Sequence, residues 1–530
     1  MKVLTLRKYP YTVYKYEVLD STNNAARREI EKLGRSADRY VFVADRQTEG
    51  RGRNGRSWLN TESALMMSII KTTKLSIDKM PMLNLVAALA VKDAVKKLTQ
   101  GVADLSVKWP NDLITKDRYE KVCGILSESV NLNGTKFAII GIGLNLNAKK
   151  IPKDLIQPAS SVFLQYGKFI NLIDAVSAVL EEFEEKYVLF EKDREAFLKR
   201  FALECVSIGR HVSVDDGESI RYGVGDKLAG NGQLVVKYEN GETDVVYAAD
   251  VSVRNQTVID DKLALSLRPK REPSSNKGAF GKAALIVGSD DMPGAAIMST
   301  RACVRAGAGL TKVLVPDRIK SSFAAVPEAM ILTNDEEADE LIKWSNAILI
   351  GCGMGAGKRT SELIKKVLDS KKPCVIDADG LNTLAKNIKL LDMLHNKAVI
   401  TPHPAEMARL TGRSVDEVIK NRTKTAIEFA AKYGVNVLLK SASSVLASPD
   451  GTIRYNDSGS SALAKGGSGD VLAGIITAFI AQGVKPFDAA SLGAYVLGLS
   501  AEKAIDFLHN RFVTASDIIE IVSDDLFRRK

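Results

Sequence analysis

The spacing of hydrophobic and polar positions changes along this chain, and each change predicts a different kind of element. Between residues 10 and 150, the apolar runs "LSVKW", "KVCGILSES" and "KFAIIGIGLNLN" predict strands. The segment 79–98, "KMPMLNLVAALAVKDAVKKL", places apolar residues three and four positions apart and predicts a helix. Another helix is predicted to start at Asp20–Asn23, because these short polar side chains suit a helix N-cap. The first part of the chain therefore mixes strands with helices.

Residues 169–254 show two successive patterns. Residues 169–202 are rich in Glu and Lys and have helical spacing. Residues 205–254 contain short period-two strands separated by Gly and Asn-Gly turns, which are typical of hairpins. We therefore expect a small β-barrel or hairpin module after the first α+β part.

The second half alternates regularly between strand and helix patterns. The polar stretch 268–278, "RPKREPSSNKG", predicts a boundary region because it has two prolines and little periodicity. From residue 281, strand patterns such as "AALIVGS", "AILIGCG" and "PCVIDADG" are separated by helical ones. This alternation predicts an α/β layered domain with a largely parallel sheet.

Composition narrows the class of protein. A chain of 530 residues is expected to form two to four domains. The fractions of hydrophobic (45%) and charged (26%) residues are typical of soluble globular proteins. No apolar run approaches the roughly 20 residues of a membrane span, and the N-terminal residues lack a signal-peptide core. We therefore expect no membrane association.

Charge and cysteine usage add two expectations. The net charge of +10 favours anionic ligands such as nucleotides. No basic tract interleaved with aromatic residues is present, so DNA binding is not expected. The five scattered cysteines form no C-x-x-C pair, which indicates a reducing cytoplasm without disulfides or structural zinc.

The loop Gly50–Trp58, "GRGRNGRSW", fits the pattern G-x-G-x-x-G but not its dinucleotide-binding context. That context requires a following helix and an acidic residue about 20 positions later, whereas here a strand pattern follows. The loop instead combines flexible glycines with arginines, whose donors suit phosphate or carboxylate groups. The loop alone is therefore compatible with an anion-binding loop or with a solvated basic surface loop.

A second glycine-rich segment, "GGSGDVLAGIITAFI", precedes an apolar helix. Its free backbone N–H groups and the helix dipole predict a phosphate site. Asp470 lies at the start of this helix, where a carboxylate could accept a proton from a substrate hydroxyl. Asp377 and Asp379 end a predicted strand, where they could serve a site or cap a helix.

Residues 1–254 resemble biotin protein ligases. The motifs "DSTNNAAR", "ADRQTEGRGRNGRSW", "KWPND", "KVCGIL" and "GIGLNLN" occur in that family's order and spacing. The resemblance implies that ATP activates biotin as biotinyl-adenylate, with Mg²⁺ bound through the nucleotide phosphates. It also implies transfer of biotin to a lysine of an acceptor protein, such as a carboxylase carrier domain. The nineteen residues before Asp20 are too few for the family's helix-turn-helix domain, so we expect no repressor role.

The resemblance assigns roles to particular side chains of this half. The uncharged Ser21, Thr22, Asn23 and Gln47 would bind the neutral ureido ring of biotin. Catalytic roles fall to Lys121, which would hold the bridging oxygens of the adenylate, and to Arg53. The remaining residues of the expected biotin and adenylate site are Arg51, Arg56, Trp58, Lys108, Asn111, Asp112 and Asn145. Among these, Lys108, Asn111 and Asp112 resemble the family's nucleotide and magnesium site.

Residues from about 258 to 530 resemble the ADP- or ATP-dependent dehydratase that repairs the hydrates NADHX and NADPHX. The resemblance rests on "SSNKGAFGKAALIVGS", "MPGAAIMSTRACVRAGAGL", "GCGMGAG", "VIDADGLN", "ITPHPAEMARLTG" and "AKGGSGDVLAGII". It implies a ribokinase-like fold and Asp470 as the catalytic base. The hydrate site would also contain Ala295, Gly355 and His403. The expected ADP or ATP site comprises Lys440, Ser441, Ala442, Ser443, Ser444, Gly466, Gly467 and Gly469.

Some positions depart from the dehydratase pattern. Ser441 replaces a glycine, Cys352 replaces a proline, and the pair Ser460–Ser461 stands in place of Asn and Pro. Their effect on activity is left open, as are the preference for ADP or ATP and any coupling between the halves. The epimerase domain that often precedes this dehydratase is replaced by the ligase motifs.

Together these patterns predict a multidomain α/β protein in the cytoplasm. We expect a ligase catalytic domain over residues 1–203, an SH3-like β-barrel over 204–255 and a ribokinase-like domain over 256–530. The predicted function is a bifunctional ligase and dehydratase. The alternatives are a small-molecule kinase in the second half, or a non-catalytic regulatory module in either half. The sequence is compatible with a homo-oligomer and leaves the number of assembled chains open.

Overall fold

The structure is a computed structural model that describes residues 2–5, 10–55, 58, 61–116, 119–152, 155, 157–247, 250–253, 257–272 and 274–522. The chain divides into two units. The first contains Met1–Tyr238 with Glu242–Arg254, and the second contains Glu239–Gly241 with Asn255–Lys530.

The first unit contains an eight-stranded sheet with the strand order β1-β2-β3-β4-β8-β7-β6-β5. Its neighbouring strands are antiparallel except for the parallel pair β2–β3. The strands are β1 (Lys2–Thr5), β2 (Thr12–Leu19), β3 (Tyr40–Gln47), β4 (Leu65–Thr72), β5 (Leu105–Lys108), β6 (Asp112–Thr115), β7 (Lys121–Leu132) and β8 (Thr135–Leu144). The helices are α1 (Thr22–Leu33), α2 (Met82–Leu98), α3 (Val162–Tyr166), α4 (Leu172–Lys192) and α5 (Arg194–Glu204).

Helices cover both faces of this sheet. In β3, Val41 and Val43 pack with the residues of α2 and α4, whereas Phe42 between them packs with the residues of α1. This alternation follows from the period of two along a strand. Helix α2 lies against α4 and against strands β5, β7 and β8, which explains its nearly continuous burial.

The predicted start of α1 is correct in position, but its capping differs from the expectation. Ser21 occupies the N-cap position, yet its hydroxyl makes no capping hydrogen bond. Asp20 instead forms an ion pair with Arg28, 2.8 Å between Oδ2 and Nη1. Ser21 therefore does not act as a helix cap, and it lines the cavity described below.

A five-stranded antiparallel sheet follows, with the order β12-β11-β10-β9-β13. Its strands are β9 (His211–Asp215), β10 (Ile220–Leu228), β11 (Leu234–Tyr238), β12 (Thr243–Val246) and β13 (Asp250–Ser252). Within the residues that the structure describes, this sheet is open, and the pairings do not close it into a barrel.

The second unit is built on a ten-stranded sheet with the order β14-β23-β22-β21-β20-β19-β18-β15-β16-β17. As the alternating pattern predicts, the sheet is largely parallel, and only β22 pairs antiparallel to its neighbours. The strands are β14 (Thr257–Val258), β15 (Lys282–Ile286), β16 (Leu310–Leu314), β17 (Ala329–Leu332), β18 (Ala347–Ile350), β19 (Cys374–Ile376), β20 (Ala398–Ile400), β21 (Asn436–Leu439), β22 (Ser444–Ala447) and β23 (Ile453–Asn456).

Helices of the second unit connect and cover these strands. Helix α15 packs against α7 and against strands β15, β18 and β19, so its N-terminus is fixed relative to the sheet. The helices are α6 (Asp261–Leu267), α7 (Pro293–Arg305), α8 (Ala338–Trp344), α9 (Lys358–Asp369), α10 (Asp379–Lys386), α11 (Ile388–Leu391), α12 (Pro404–Thr411), α13 (Val415–Lys420), α14 (Arg422–Tyr433), α15 (Ser468–Ala481), α16 (Pro486–Ala504) and α17 (Ala515–Ile521). In the described part of the chain, no helix combines the length and apolar character needed to cross a membrane.

Candidate active sites

A cavity of about 550 Å³ opens over strands β7 and β8 of the first unit. It collects every residue of the expected adenylate site that the structure describes, whereas Arg56 lies outside the described residues. These lining residues are Ser21, Thr22, Asn23, Gln47, Arg51, Arg53, Trp58, Lys108, Asn111, Asp112, Lys121 and Asn145. Strand β4 follows the arginine loop, so the strand predicted after it is confirmed.

Three glycines form the floor of this cavity. A Cβ atom on Gly143 would lie 2.5 Å from Cε2 of Trp58, and one on Gly124 would lie 2.9 Å from Cζ3 of the same ring. A Cβ atom on Gly141 would lie 2.5 Å from Oδ1 of Asn23. The glycines of the motifs "CGIL" and "GIGLN" therefore make room for Trp58 and Asn23, which the sequence analysis did not foresee.

One end of the cavity is polar and uncharged. The Thr22 backbone N–H donates to Oε1 of Gln47 at 2.7 Å. The hydroxyl of Ser68, a buried residue that the sequence analysis missed, lies 2.6 Å from Oδ1 of Asn23 and 2.7 Å from Oγ1 of Thr22. A serine in an otherwise apolar strand was the available signal. This corner suits a neutral ligand group with both donors and acceptors.

The other end is cationic. The buried carboxylate of Asp112 lies between two lysines, with Oδ1 2.6 Å from Nζ of Lys121 and Oδ2 3.4 Å from Nζ of Lys108. Arg53 donates to the side-chain oxygen of Asn111 at 3.3 Å. The two ammonium groups offset the negative charge of Asp112, which weakens its attraction for a cation. The donor set fits Mg²⁺ bound through nucleotide phosphates better than Mg²⁺ bound by the protein.

Two further residues of the cavity have distinct environments. The amide of Asn145 is held on both sides, because its Oδ1 accepts from Thr61 at 2.9 Å and its Nδ2 donates to the carbonyl of Ser160 at 3.1 Å. The indole N–H of Trp58 is buried and has no hydrogen-bond partner within the described part of the chain.

In the second unit, the strand register brings several of the expected dehydratase residues together at one edge of the sheet. Ile350, Ile376 and Ile400 pair in one row at the carboxyl ends of β18, β19 and β20. The residues that follow these ends therefore meet at one edge of the sheet, as expected for parallel strands. They include Cys352, Asp377 and His403, and Lys440 follows β21 at the same edge.

Asp470 lies in the first turn of α15, beside this edge. Burial, followed by repulsion from Asp377, raises the pKa of its carboxyl to about 6. A hydrogen bond with the buried thiol of Cys352 and the charge of Lys440 oppose this rise. A carboxylate with a pKa near neutrality suits general-base chemistry.

The N-terminus of α15 forms a backbone cradle. Gly467 is the N-cap residue at a φ of 92°, where a Cβ atom would lie 2.4 Å from Sδ of Met298. A Cβ atom on Gly469 would lie 3.3 Å from Nζ of Lys440, whereas one on Gly466 would meet nothing within 4 Å. The buried hydroxyl of Ser468, which the sequence analysis missed, has no partner among the described residues. The cradle and this hydroxyl suit a phosphate group.

His403 caps helix α12. Its Nδ1 accepts from the backbone N–H groups of Ala405 and Glu406 at 3.1 and 3.3 Å, and Glu406 accepts from the backbone of His403 at 2.9 Å. Burial raises the pKa of Glu406 to about 7, and burial, followed by the charges of Lys440 and Arg409, lowers the pKa of His403. The neutral imidazole therefore carries its proton on Nε2, which makes it a donor.

The remaining expected dehydratase residues surround this edge. Arg422, the first residue of α14, donates to two residues of the turn from β21 to β22. These hydrogen bonds reach Oγ of Ser441 at 2.9 Å and the carbonyl of Ser443 at 3.3 Å. Ser441 thus uses the side chain that distinguishes it from glycine. Ala442 lies in this turn, and Ser444 begins β22 and accepts from the backbone of Ser441 at 3.2 Å.

Two residues of the expected hydrate site lie near the loop after β18. The Gly355 backbone N–H donates to Asp379 at 2.9 Å, and a Cβ atom on Gly353 would lie 2.7 Å from the Cβ atom of Ala295. The departures Ser460 and Ser461 lie at a short 3-10 turn, where Ser460 accepts from the backbone of Ala462 and Ser461 accepts from Asn510.

Two family models match separate parts of the chain. The model described as NAD(P)H-hydrate dehydratase matches residues 283–523, and the model of the biotin/lipoate A/B protein ligase family matches residues 16–147. These matches favour the dehydratase over a small-molecule kinase in the second half.

Curated relatives resemble the second half. The bifunctional NAD(P)H-hydrate repair enzyme of Moorella thermoacetica is 34% identical over 282 residues, which cover 51% of this chain and 53% of that protein. The ADP-dependent (S)-NAD(P)H-hydrate dehydratase of Neisseria meningitidis is 38% identical over 243 residues, or 44% of this chain and 80% of that protein. The chain thus spans about half the length of the bifunctional relatives.

One solved structure is similar to a little under half of the chain. Biotin protein ligase from Aquifex aeolicus, in complex with biotin and ATP, has 29% identity and a TM-score of 0.39. The alignment covers 45% of this chain and 97% of that one.

Proposed function

We infer two enzymatic activities for this chain, which belongs to the NAD(P)H-hydrate dehydratase family through its second half and carries a biotin/lipoate A/B protein ligase domain in its first half. The second half converts NADHX and NADPHX back to NADH and NADPH with ADP or ATP. The first half joins biotin to a lysine of an acceptor protein with ATP.

The dehydratase reaction uses the edge of the parallel sheet. The ring hydroxyl of the hydrate attacks the terminal phosphorus of the nucleotide, and Asp470 accepts the hydroxyl proton. The nucleotide leaves with one phosphate fewer, which gives AMP from ADP. Phosphate then departs from the ring carbon while the neighbouring carbon loses a proton, so the ring double bond returns. Backbone N–H groups at the start of α15 and the ammonium of Lys440 stabilise the phosphate charge.

The observation that carries this proposal is the position of Asp470. Its carboxyl, with a pKa of about 6, lies in the same helix turn as the glycine cradle and beside Lys440. Phosphate and base are thereby held together by one helix N-terminus. Incubating the full chain with hydrated NADH and either ADP or ATP tests the proposal, because NADH absorbance should return. Absence of recovery with both nucleotides would contradict it.

The ligase reaction uses the cavity of the first unit. The carboxylate of biotin attacks the α-phosphorus of ATP and releases pyrophosphate, and the acceptor amine then attacks the carbonyl and releases AMP. Arg53, Lys108 and Lys121 offset the repulsion between carboxylate and polyphosphate. Mg²⁺ on the phosphates would further reduce their charge. The ion pairs with Asp112 hold both lysines in place before ligand binds.

Biotin, rather than lipoate, fits the uncharged end of the cavity. The ureido ring of biotin offers two N–H donors and one carbonyl acceptor. The corner formed by Thr22, Asn23 and Gln47, with Ser68 hydrogen-bonded behind it, can match both kinds of group. The dithiolane ring of lipoate has no such donors. We expect biotin to form an adenylate far faster than lipoate does when both are offered with ATP. An equal or higher rate with lipoate would overturn the assignment.

Arg53 provides a second test of the ligase proposal. In Arg53→Ala, biotinyl-adenylate should escape into solution, because a fixed cation beside its phosphate is lost. We expect more free adenylate and less biotin transferred to a carboxylase carrier domain, measured with labelled biotin. Unchanged retention of the adenylate would remove Arg53 from its binding.

The five-stranded sheet belongs to the ligase in this proposal, as its SH3-like module. The domain boundaries are those expected from the sequence: 1–203, 204–255 and 256–530. A location in the cytoplasm agrees with the proposed substrates and with the five cysteines, all of which are unpaired and buried.

A further inference from the structure

An aspartate without a role in the proposed reaction occupies the centre of the second site. Asp377 follows β19 and is 1% exposed. Its Oδ1 lies 2.9 Å from Nζ of Lys440, which follows β21. Strand β20 separates these two strands in the sheet, so the contact spans two strand positions at the carboxyl edge.

The pair lies against the first turn of α15. A Cβ atom on Gly469 would be 3.3 Å from Nζ of Lys440 and 3.5 Å from Oδ2 of Asp377. A side chain at position 469 would therefore press directly against the pair. The ammonium group is held beside the backbone N–H groups that would bind the transferred phosphate.

A lysine ammonium is a point charge on a flexible chain, and keeping it in one place requires a partner. We propose that Asp377 is a positioning residue that holds the ammonium of Lys440 at the first turn of α15, where it faces the transferred phosphate. This inference rests on the proposed dehydratase function. In this proposal, Asp377 has no contact of its own with nucleotide or hydrate. It acts through Lys440.

The same carboxylate influences the proposed base. Asp470 faces the charges of Asp377, Asp379 and Lys440 and the thiol of Cys352. Among these, Asp377 makes the largest electrostatic contribution that raises the pKa of Asp470, after burial. Removing its negative charge while Lys440 stays should therefore lower that pKa. A lower pKa of Asp470 in the variant would distinguish the proposed role of Asp377 from a purely structural one.

The test compares full-length variants in the repair of hydrated NADH. Asp377→Asn should lower kcat/KM about 100-fold, because Lys440 is no longer held in place. The acid limb of its pH profile should also move to lower pH. Asp335→Asn is a matched control, since Asp335 pairs with Arg359 at 2.7 Å outside this cluster and should leave both quantities unchanged.

A double variant keeps the proposal testable if Asp377→Asn unfolds. In a Lys440→Met background, the further change Asp377→Asn should alter kcat/KM less than threefold, since the residue it positions is already gone. If the two substitutions lowered kcat/KM by independent factors that multiply, the proposal would be overturned. An acid limb of the pH profile that does not move in a folded Asp377→Asn protein would also overturn it.

A binding measurement distinguishes this proposal from the proposed function. Asp377→Asn should weaken ADP binding in calorimetric titration, which needs no turnover. If the wild type binds ADP but repairs no hydrate, the dehydratase proposal fails, while the binding comparison still decides the role of Asp377. Equal ADP affinity in wild type and Asp377→Asn would contradict the positioning role.

Discussion

The proposed base gives the most detailed prediction for the second site. Asp470 must be ionised to accept a proton, and burial, followed by repulsion from Asp377, raises its pKa to about 6. At pH 7 about 90% of the protein would carry the ionised carboxylate, and at pH 5 only about 10% would. The kcat/KM for hydrated NADH should therefore fall nearly tenfold between these pH values, with the loss on the acid side.

Substituting the base should remove most of the activity. Asp470→Asn keeps the size and hydrogen bonding of the side chain but cannot accept the proton. Loss of a general base costs about 10²–10⁴-fold, so kcat should fall by at least 100-fold. ADP binding should persist, because the backbone N–H groups of α15 remain.

The assay follows the return of NADH absorbance in the presence of ADP across the pH range. Asp488→Asn is the matched control, because Asp488 also lies in the first turn of a helix of the second unit but pairs with Arg454 at 2.8 Å. It should retain wild-type kinetics. An Asp470→Asn protein with near wild-type kcat, or a wild-type profile with no acid limb near pH 6, would refute the assignment.

Substitutions at three further positions test the packing of both units. In Gly143→Ala, the new methyl would lie 2.5 Å from the ring of Trp58, so tryptophan fluorescence should change and ATP binding should weaken about tenfold. His403→Ala should destabilise the second unit by about 1 kcal/mol in urea unfolding, whereas His403→Asn, which keeps a capping acceptor, should not; both should raise the KM for hydrated NADH. Lys71→Met leaves the buried carboxylate of Glu184, 2.8 Å from the lysine, without its ammonium partner, and should destabilise the first unit by about 3 kcal/mol in calorimetry. Unchanged unfolding of Lys71→Met would show that the other partners of Glu184, Tyr11 and Arg39, are sufficient to stabilise its carboxylate.

Much of the architecture follows from local patterns. The alternation of strands and helices after residue 281 predicted the parallel sheet, because buried strands and amphipathic helices have different hydrophobic periods. The ligase motifs predicted side chains that the structure brings to one cavity, and their roles there stay predictions. The small β module was predicted as strands and turns, and its described strands form an open sheet.

Contacts between distant parts of the chain escaped the sequence analysis. Asp377 and Lys440 are 63 positions apart and meet only through the register of β19, β20 and β21. The space that Gly141 and Gly143 leave likewise depends on where Asn23 and Trp58 lie above the sheet. No local pattern encodes such distances, because they arise from tertiary packing. The residue types of Asp20–Asn23 predict a helix cap, yet Ser21 makes no capping hydrogen bond and lines the cavity.

The central claim is that one chain performs two reactions at two separate sites. Its most direct test divides one preparation of the purified full-length Asp470→Asn variant between two assays, with the wild type run in parallel. The wild type should restore NADH from its hydrate with ADP or ATP and should transfer labelled biotin to a carboxylase carrier domain with ATP. The variant should lose NADH recovery and keep biotin transfer at the wild-type rate. A wild type that lacks either activity while folded, or a variant that loses biotin transfer as well, would contradict the account.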